Sequence, residues 1–258
     1  MKDYKVSVCI VTYNNKDKIS ATINSVIEQT KGVELDFYIV DNNSTDGTAK
    51  FIKENFPTVN VIESGENSGF GAGHNKVLPF LDSKYHVVVN PDIILKDDVI
   101  TELCEYADEH EEVGLLSPQI RFEDGRIQQL GKRNPTVRYL GSHWFHKGDE
   151  PSKTMIEYCM LDMPQDKPFE ISNATGCFMF FRTKAFKELG GFDERFFMYL
   201  EDCDIARRIS ESEKYKALHY PMADVYHLWE RGSKKSRKLL MIHIKSIITY
   251  FLKWGFFG

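Results

Sequence analysis

Strand and helix patterns alternate four times within roughly the first ninety residues, and this alternation limits the fold more than any other feature. Short, apolar, β-branched runs predict buried strands at Val6–Val11, Leu35–Val40, Val59–Glu63 and Tyr85–Val89. Between them, helical spacing of apolar residues predicts helices at Lys18–Glu28 and Thr48–Asn55. Such alternation is typical of an α/β fold with a parallel sheet flanked by helices.

Polar segments follow three of these predicted strands directly. Thr12-Tyr13-Asn14 follows the first strand, Asp41 the second and Asn90-Pro91-Asp92 the fourth. Because ligands bind beyond the carboxyl ends of strands in such sheets, we expect the segments to converge. Asp41 is suited to accept a hydrogen bond from a pyrimidine N3–H, and Asp92 suits a divalent cation beside a diphosphate. Ordinary turn and helix-cap roles are the alternative.

A glycine-rich turn precedes the third helix and runs Asn67-Ser68-Gly69-Phe70-Gly71-Ala72-Gly73-His74-Asn75. Its glycine spacing is not that of a dinucleotide-binding fingerprint. It brings backbone close to a helix N-terminus, a place that suits phosphate or ribose, although a plain tight turn is the alternative. Apart from His227, only His74 is a candidate for ligand contact.

Three carboxylates lie within four residues in Tyr199-Leu200-Glu201-Asp202-Cys203-Asp204, at the start of a predicted helix, Glu201–Ser212. Their repulsion costs stability unless a cation or a polar ligand compensates. The helix dipole favours one or two acids at the N-terminus of a helix, and we expect Asp204 to have this role. Asp202 is therefore the candidate functional acid.

A late histidine, His227, precedes Arg231 and the lysine-rich run Gly232-Ser233-Lys234-Lys235-Ser236. Imidazole is a common metal ligand, and the basic loop is suited to neutralise a pyrophosphate. A purely structural histidine is the alternative.

Composition excludes several classes of protein. With 42% hydrophobic residues the chain has material for a core, and its net charge of −5 argues against a nucleic-acid partner. The five cysteines are scattered without C-x-x-C spacing, so a disulfide framework is not expected. The apolar run at the N-terminus is too short for a signal peptide, which predicts a cytoplasmic protein.

The second half is less regular. Helix is predicted at Asp98–His110, and strands are predicted within 113–122, at Phe178–Arg182 and at Lys216–Tyr226, whereas residues 131–168 are rich in loop residues.

Residues 231–258 carry seven basic residues and no acidic one. Charges interrupt the apolar run from Leu239 to Phe257, so a membrane span is not expected, and a basic amphipathic helix in the membrane interface fits better. Packing of this helix on the domain, or on a second subunit in a homodimer, is the alternative.

The ordered series VSVCIVTYNN, DNNSTDGT, NSGFGAGHN, NPD, YLEDCD and a late histidine resembles family 2 glycosyltransferases of the GT-A fold. The variants NSGFGAGHN and NPD look most like bacterial rhamnosyltransferases of polysaccharide assembly. The resemblance implies a mainly parallel central sheet flanked by helices over residues 1–230, plus the C-terminal amphipathic helix in 231–258. Residues 1–100 would form the nucleotide-sugar-binding half, and 101–230 the acceptor and catalytic half.

The same resemblance implies a role for each matching residue. Asp202 matches the catalytic base, and Asp92 and His227 match ligands of Mg²⁺ or Mn²⁺. Asn90 replaces the first acid of the family's DxD motif, which implies weaker metal binding. The residues implied to bind the nucleotide sugar are Thr12, Tyr13, Asn14, Asp41, Asn67, Gly69, Asn75, Asn90 and Arg231.

The implied activity is inverting transfer of a sugar, favoured as L-rhamnose from TDP-rhamnose, onto a hydroxyl of a lipid-linked saccharide. The enzyme would be peripheral on the inner face of the plasma membrane. A UDP-sugar-dependent transferase of the same family and a non-catalytic nucleotide-sugar or glycan-binding module are the alternatives. Asp202 argues against the module, which has no use for a base.

Overall fold

A nine-stranded mixed sheet forms the centre of the fold in the computed structural model, which describes residues 4–145, 150–228 and 237–256. The strands are β1 Tyr4–Thr12, β2 Val33–Asp41, β3 Asn60–Glu63, β4 Tyr85–Val89, β5 Ile93–Ile94, β6 Val113–Arg121, β7 Phe169–Glu170, β8 Phe178–Arg182 and β9 Lys216–His227. The helices are α1 Ile19–Gln29, α2 Thr48–Asn55, α3 Phe70–Asn75, α4 Val99–Glu109, α5 Val137–Phe145, α6 Lys153–Cys159, α7 Thr183–Glu188, α8 Glu201–Ser210 and α9 Arg237–Trp254. The strand order is β3-β2-β1-β4-β8-β6-β9-β5, and β7 pairs with β9.

The first half of the sheet is parallel, as the alternating pattern predicts. Strand β1 pairs in parallel with β2 on one side and with β4 on the other. The register sets Thr12 opposite Asp41 and Ile10 opposite Val89, so the polar segments after these strands share one edge. Strand β4 is buried along its whole length, which explains its continuous apolar sequence.

The second half of the sheet is mixed. Strand β8 runs antiparallel to both β4 and β6, and β6 runs parallel to β9. The strand residues predicted within 113–122 form the single strand β6. Its register against β9 shifts between Pro118 and Gln119, where residues 221–223 of β9 have no partner in β6.

Residues 131–168, which show no clear pattern in sequence, contain α5 and α6. The two helices stabilise each other through tertiary contacts that local sequence does not encode. Tyr139 and Arg138 of α5 both hydrogen-bond the Glu157 carboxylate of α6, and the Tyr139 ring stacks on Tyr158.

The C-terminal helix α9 packs on the domain, which was one of the alternatives left open by the sequence. Tyr250 and Phe251 join a cluster with Phe196 and Leu200, just before α8. Ser246 Oγ donates a hydrogen bond of 2.7 Å to the Met198 carbonyl. Within the described part of the chain, no helix is both long enough and apolar enough to cross a bilayer.

A buried ionic cluster around Asp204 joins α8 to α9. Asp204 is fully buried. Its Oδ2 accepts from Arg208 Nε at 2.8 Å, and its Oδ1 accepts from Trp254 Nε1 at 2.8 Å and lies 2.6 Å from Lys253 Nζ. The expectation that Asp204 only faces the helix N-terminus is wrong, because its partners come from the next helical turn and from α9.

We expect Asp204→Asn to lower the free energy of unfolding by about 2–4 kcal/mol, because Arg208 and Lys253 lose a fully buried carboxylate, and Lys253 keeps only its second partner, Asp193. Urea denaturation measures this loss. The control is Glu54→Gln, which breaks an i,i+4 pair between two exposed side chains, with Lys50. Lys50 and Glu54 are 80% and 61% exposed, so the loss of this pair should cost only about 0–1 kcal/mol. Equal losses in the two variants would contradict a structural role for the Asp204 cluster.

Candidate active site

The ends of β1 and β2 form one wall of the site. Asp41 is buried, and its Oδ2 accepts from the Ser44 backbone N–H at 2.9 Å. Its Oδ1 is buried too and has no hydrogen-bond partner among the described residues. Thr12 Oγ1 accepts from Asn15 Nδ2, while the Tyr13 ring stays 48% exposed. This wall therefore offers a free carboxylate oxygen and an exposed aromatic ring.

Asn14 ties the two loops of this wall together. Its backbone is left-handed, with φ 55°. The Asn14 N–H donates to Ser44 Oγ at 2.9 Å, and its side-chain Oδ1 accepts from the Thr45 N–H at 2.8 Å. The described contacts of Asn14 thus hold the two loops in place.

The glycine-rich turn touches both the end of β2 and the segment before α8. Asn42 Nδ2 donates to the Gly69 carbonyl at 2.8 Å, and Asn67 Oδ1 accepts from the Gly69 N–H at 3.2 Å. Gly69 has φ 92°, and a Cβ there would lie 2.0 Å from the Phe197 carbonyl oxygen. Only glycine permits this close approach, which brings the turn up against the chain leading to Asp202.

Two candidate residues of this turn, Asn75 and His74, have structural roles. Asn75 uses Nδ2 and Oδ1 to bond the backbone of Phe192, and Nδ2 also contacts Glu194. The His74 ring is fully enclosed against Phe70 and Phe192. Burial, with a smaller effect of His86, lowers the pKa of His74 well below its usual range. The proposed ligand contact of His74 is therefore wrong for this conformation, and the groups of Asn75 are already engaged.

Asp92 and His227 come together although they are far apart in sequence. Ile93, which follows Asp92, is paired with His227 where β5 meets β9, and the Leu228 N–H donates to the Asp92 carbonyl. Asp92 Oδ1 lies 3.3 Å from His227 Nε2. The pairing of these strands thus places side by side the two residues that the sequence predicts as metal ligands.

Gln128, which the sequence analysis did not select, determines how His227 is oriented. Gln128 Nε2 faces two backbone carbonyls, of Arg121 and of His227, and must donate to them. Its Oε1 therefore accepts from His227 Nδ1, 3.3 Å away, which fixes a proton on Nδ1. His227 Nε2 then faces the Asp92 carboxylate, and either a second proton or a cation between them satisfies both groups.

The pair accordingly fits a divalent ion through one oxygen and one nitrogen. Among the described residues, no group of three or more His, Cys, Asp or Glu side chains could hold a metal by itself. Asn90 contributes its backbone here, because its N–H donates to the Cys177 carbonyl at 2.9 Å.

Asp202 contacts the same segment, Gly176–Cys177. Its Oδ2 accepts from the Gly176 N–H and its Oδ1 from the Cys203 N–H, both at 2.8 Å. Burial raises the pKa of Asp202 despite these bonds. Burial also raises the pKa of the Cys177 thiol, and the charges of Asp92 and Asp202 both add to this effect. Gly176 thus bonds Asp202, and Cys177 bonds Asn90, two residues before Asp92, so one short segment lies next to both predicted site acids.

The backbone just before Asp202 is strained. Tyr199 and Leu200 have φ of 72° and 68°, in the left-handed region that non-glycine residues seldom adopt. Helix α9 secures this turn: Ser246 bonds the Met198 carbonyl, and the His243 ring lies against Tyr199. The position of Asp202 thus depends on a helix that follows it by more than thirty residues.

The structure gathers most of the predicted residues at one edge of the sheet. Arg231 and the lysine-rich loop after it lie outside the described residues. Sequence reasoning missed Asn42, Gln128 and Gly176. Asn42 could have been selected from the sequence, because it follows Asp41 in the same strand-end segment. Gln128 and Gly176 lie in segments without a recognisable motif.

This edge, with its acidic, amide and glycine-rich walls, is that of a nucleotide-sugar transferase fold. The family model for glycosyl transferase family 2 matches residues 7–190, and the chain belongs to this family. The family assignment made from the ordered motifs is confirmed.

The relatives of this chain include rhamnosyltransferases. It is 28% identical over 241 residues to the N-acetylglucosaminyl-diphospho-decaprenol L-rhamnosyltransferase of Mycobacterium tuberculosis (strain ATCC 25618 / H37Rv), covering 85% of this chain and 75% of the relative. It is 25% identical over 254 residues to the rhamnosyltransferase WbbL of Escherichia coli (strain K12), covering 95% of this chain and 92% of that relative.

Solved glycosyltransferase structures share the fold. The mannosyltransferase PcManGT from Pyrobaculum calidifontis, in complex with GDP-Man and Mn²⁺, matches with a TM-score of 0.70 and 19% identity. The match covers 98% of this chain and 64% of that chain. Staphylococcus aureus TarS in complex with UDP matches with a TM-score of 0.59 and 18% identity, over 95% of this chain and 65% of TarS 1–349. The α/β GT-A fold expected from the sequence is confirmed.

Proposed function

We propose that this glycosyltransferase transfers L-rhamnose from TDP-rhamnose to a hydroxyl of a lipid-linked saccharide, with inversion at the anomeric carbon. The approach of Asp92 and Asp202 to one segment, Gly176–Cys177, carries the proposal, because it sets a site for the leaving group beside a base. The names of the two rhamnosyltransferase relatives support rhamnose as the transferred sugar and, for the mycobacterial one, a lipid-linked acceptor.

Asp202 acts as the general base. As the acceptor oxygen attacks the anomeric carbon, its proton passes to the Asp202 carboxylate and the bond to the nucleoside diphosphate breaks. The bonds from Gly176 and Cys203 orient the carboxylate. Its raised pKa makes it a stronger proton acceptor than an ordinary aspartate.

Asp92 and His227 serve the leaving group. They would hold Mg²⁺ or Mn²⁺, which when bound stabilises the charge on the departing diphosphate. Gln128 keeps the Nδ1 proton of His227 in place, so that Nε2 is free for the ion. Asn90 leaves the site with one carboxylate fewer than a DxD motif provides, so we expect weaker metal binding.

The wall formed by β1 and β2 holds the nucleoside. The free Oδ1 of Asp41 suits the N3–H that thymine and uracil share, and the exposed Tyr13 ring suits stacking on a base. Since the N3–H does not separate the two bases, a UDP-sugar donor is the alternative.

We propose that α9 docks on an anionic bilayer, where a lipid-linked acceptor would reside. Its outward side carries a stripe of large apolar side chains at helical spacing, which we call the α9 stripe: Met241, Ile244, Ile248 and Leu252. Leu252 is 77% exposed and Met241 64%. The inward side is taken up by the domain, through Tyr250, Ser246 and Trp254.

Charge favours a bilayer over a second copy of the chain. Lys238 and Lys245 are exposed along one flank of the α9 stripe, and residues 237–256 include no acid. A symmetric pairing of two such helices would bring like charges together, whereas anionic lipid would neutralise them. The enzyme would then be peripheral on the inner face of the plasma membrane.

The first test replaces the base. With TDP-rhamnose as donor, Asp202→Asn should reduce transfer at least about 10²-fold, because the proton acceptor is lost, while donor binding persists. In the wild type, kcat/KM should fall as pH drops through the raised pKa of Asp202, above the usual aspartate range near 3.9. Nucleotide release and calorimetric donor binding provide the measurements.

The control is Glu211→Gln, just after the C-terminal end of α8, which should retain full turnover. Near-normal transfer by Asp202→Asn would contradict its role as base. The same assay run with UDP-sugars tests the donor, since faster release of UDP than of TDP would favour the alternative.

The second test concerns the membrane. Lys238→Gln/Lys245→Gln should weaken binding to vesicles containing phosphatidylserine by about 30-fold, at about 1 kcal/mol for each basic residue lost. Lys50→Gln/Lys76→Gln, which removes two exposed lysines from the other end of the chain, should bind like the wild type. Co-sedimentation measures both. Equal binding by the two double variants would reject the bilayer. So would a wild-type dimer that Leu252→Ser converts to a monomer.

A further inference from the structure

A small polar cavity lies beside the segment that holds Asp202. It is lined by Lys132, Asn173, Thr175 and His219, with Gln128 at one side. About 10 Å³ of it is open to the centre of a water molecule, and the unfilled space including its mouth is about 250 Å³. Its depth thus has room for one hydroxyl-sized group, and its mouth for more of a ligand.

The lining groups are buried and lack partners. Lys132 is only 9% exposed, and burial lowers the pKa of its ammonium, which has no carboxylate ion-pair partner in the described ranges of the chain. Asn173 donates through Nδ2 to the Gly131 carbonyl at 3.0 Å, but its Oδ1 is unpaired among the described residues. Unpaired buried polar groups are costly, so such a set calls for a binding partner.

His219 adds a second acceptor. Its Nδ1 lies 2.9 Å from the Ser117 carbonyl, which can only accept, so Nδ1 carries the proton. Burial lowers the pKa of His219 to about 3, so the ring is neutral. Its Nε2 is then a bare acceptor, and it too is buried without a partner in the part of the chain that the structure describes.

One cationic donor and two acceptors define the group that fits between them. A hydroxyl accepts from the Lys132 ammonium and donates to Asn173 Oδ1 or His219 Nε2. A carboxylate or a phosphate would face the lone pairs of both acceptors, and a metal cation would face the Lys132 charge. The lining therefore selects a neutral hydroxyl.

The cavity is placed to serve the reaction. Thr175 in its wall precedes Gly176, whose N–H bonds Asp202, and Gln128 in its wall also bonds His227. We propose that this cavity binds a hydroxyl of one of the two reacting sugars and that Lys132 fixes that sugar against Asp202. The inference rests on the proposed function, and the hydroxyl belongs to either the donor or the acceptor.

The test is Lys132→Met, which keeps the length of the side chain and removes the ammonium. The donor arm measures KM for TDP-rhamnose from its slow hydrolysis without acceptor. The acceptor arm measures KM for N-acetylglucosamine linked by a diphosphate to a polyprenol, at saturating donor. One of the two KM values should rise about 10- to 100-fold, as for loss of a hydrogen bond to a charged group, with a smaller change in kcat. The arm that responds identifies the sugar.

Lys84→Met is the matched control, since Lys84 lies just before the start of β4, away from the carboxyl ends, and it should leave both KM values unchanged. If Lys132→Met does not fold, Lys132→Gln, which keeps a neutral donor, should raise the same KM less steeply. Both KM values unchanged in a folded Lys132 variant would overturn the inference. A wild-type protein that releases no nucleotide from any sugar nucleotide would instead overturn the proposed function.

Discussion

The parallel pairing of β1 with strands on both sides is the interaction on which the site depends. Because β2 and β4 run alongside β1 in fixed register, Asp41 and the Asn90-Pro91-Asp92 segment emerge at one edge of the sheet. Strand β8 then brings Gly176 and Cys177 to the same edge by pairing with β4. A slip of one residue would turn each buried side chain to the other face, so burial keeps the site in register.

The three acids at the start of α8 avoid mutual repulsion in three different ways. Asp204 is neutralised inside the protein by Lys253 and Arg208, and in this way it anchors α9. Burial, and then the charge of Asp202, raise the pKa of Glu201 well above its usual range, which favours its neutral form. Asp202 keeps two backbone donors and faces the site. Asp202 is therefore the acid of this helix that we propose as the base.

The sequence was informative where local order determines position. Asp41 and Asp92 were found because each follows a strand, and Asp202 because carboxylates cluster there. The partners of Asp204 could not be predicted, because Lys253 and Trp254 reach it only once α9 folds back on α8. Gln128 and Lys132 lie in a segment without periodicity, so their roles emerge only from strand pairing and burial. The sequence likewise does not determine which side of α9 is exposed, because this depends on which of its residues pack on the domain.

In the proposed mechanism, Asp202 deprotonates the acceptor for a single direct displacement at the anomeric carbon. The anomeric configuration of the first product, read from its one-bond carbon–hydrogen coupling by NMR before any further reaction, tests this most directly. Direct displacement predicts a glycosidic bond of the configuration opposite to that of the sugar nucleotide. A product that retains the donor configuration would contradict direct displacement.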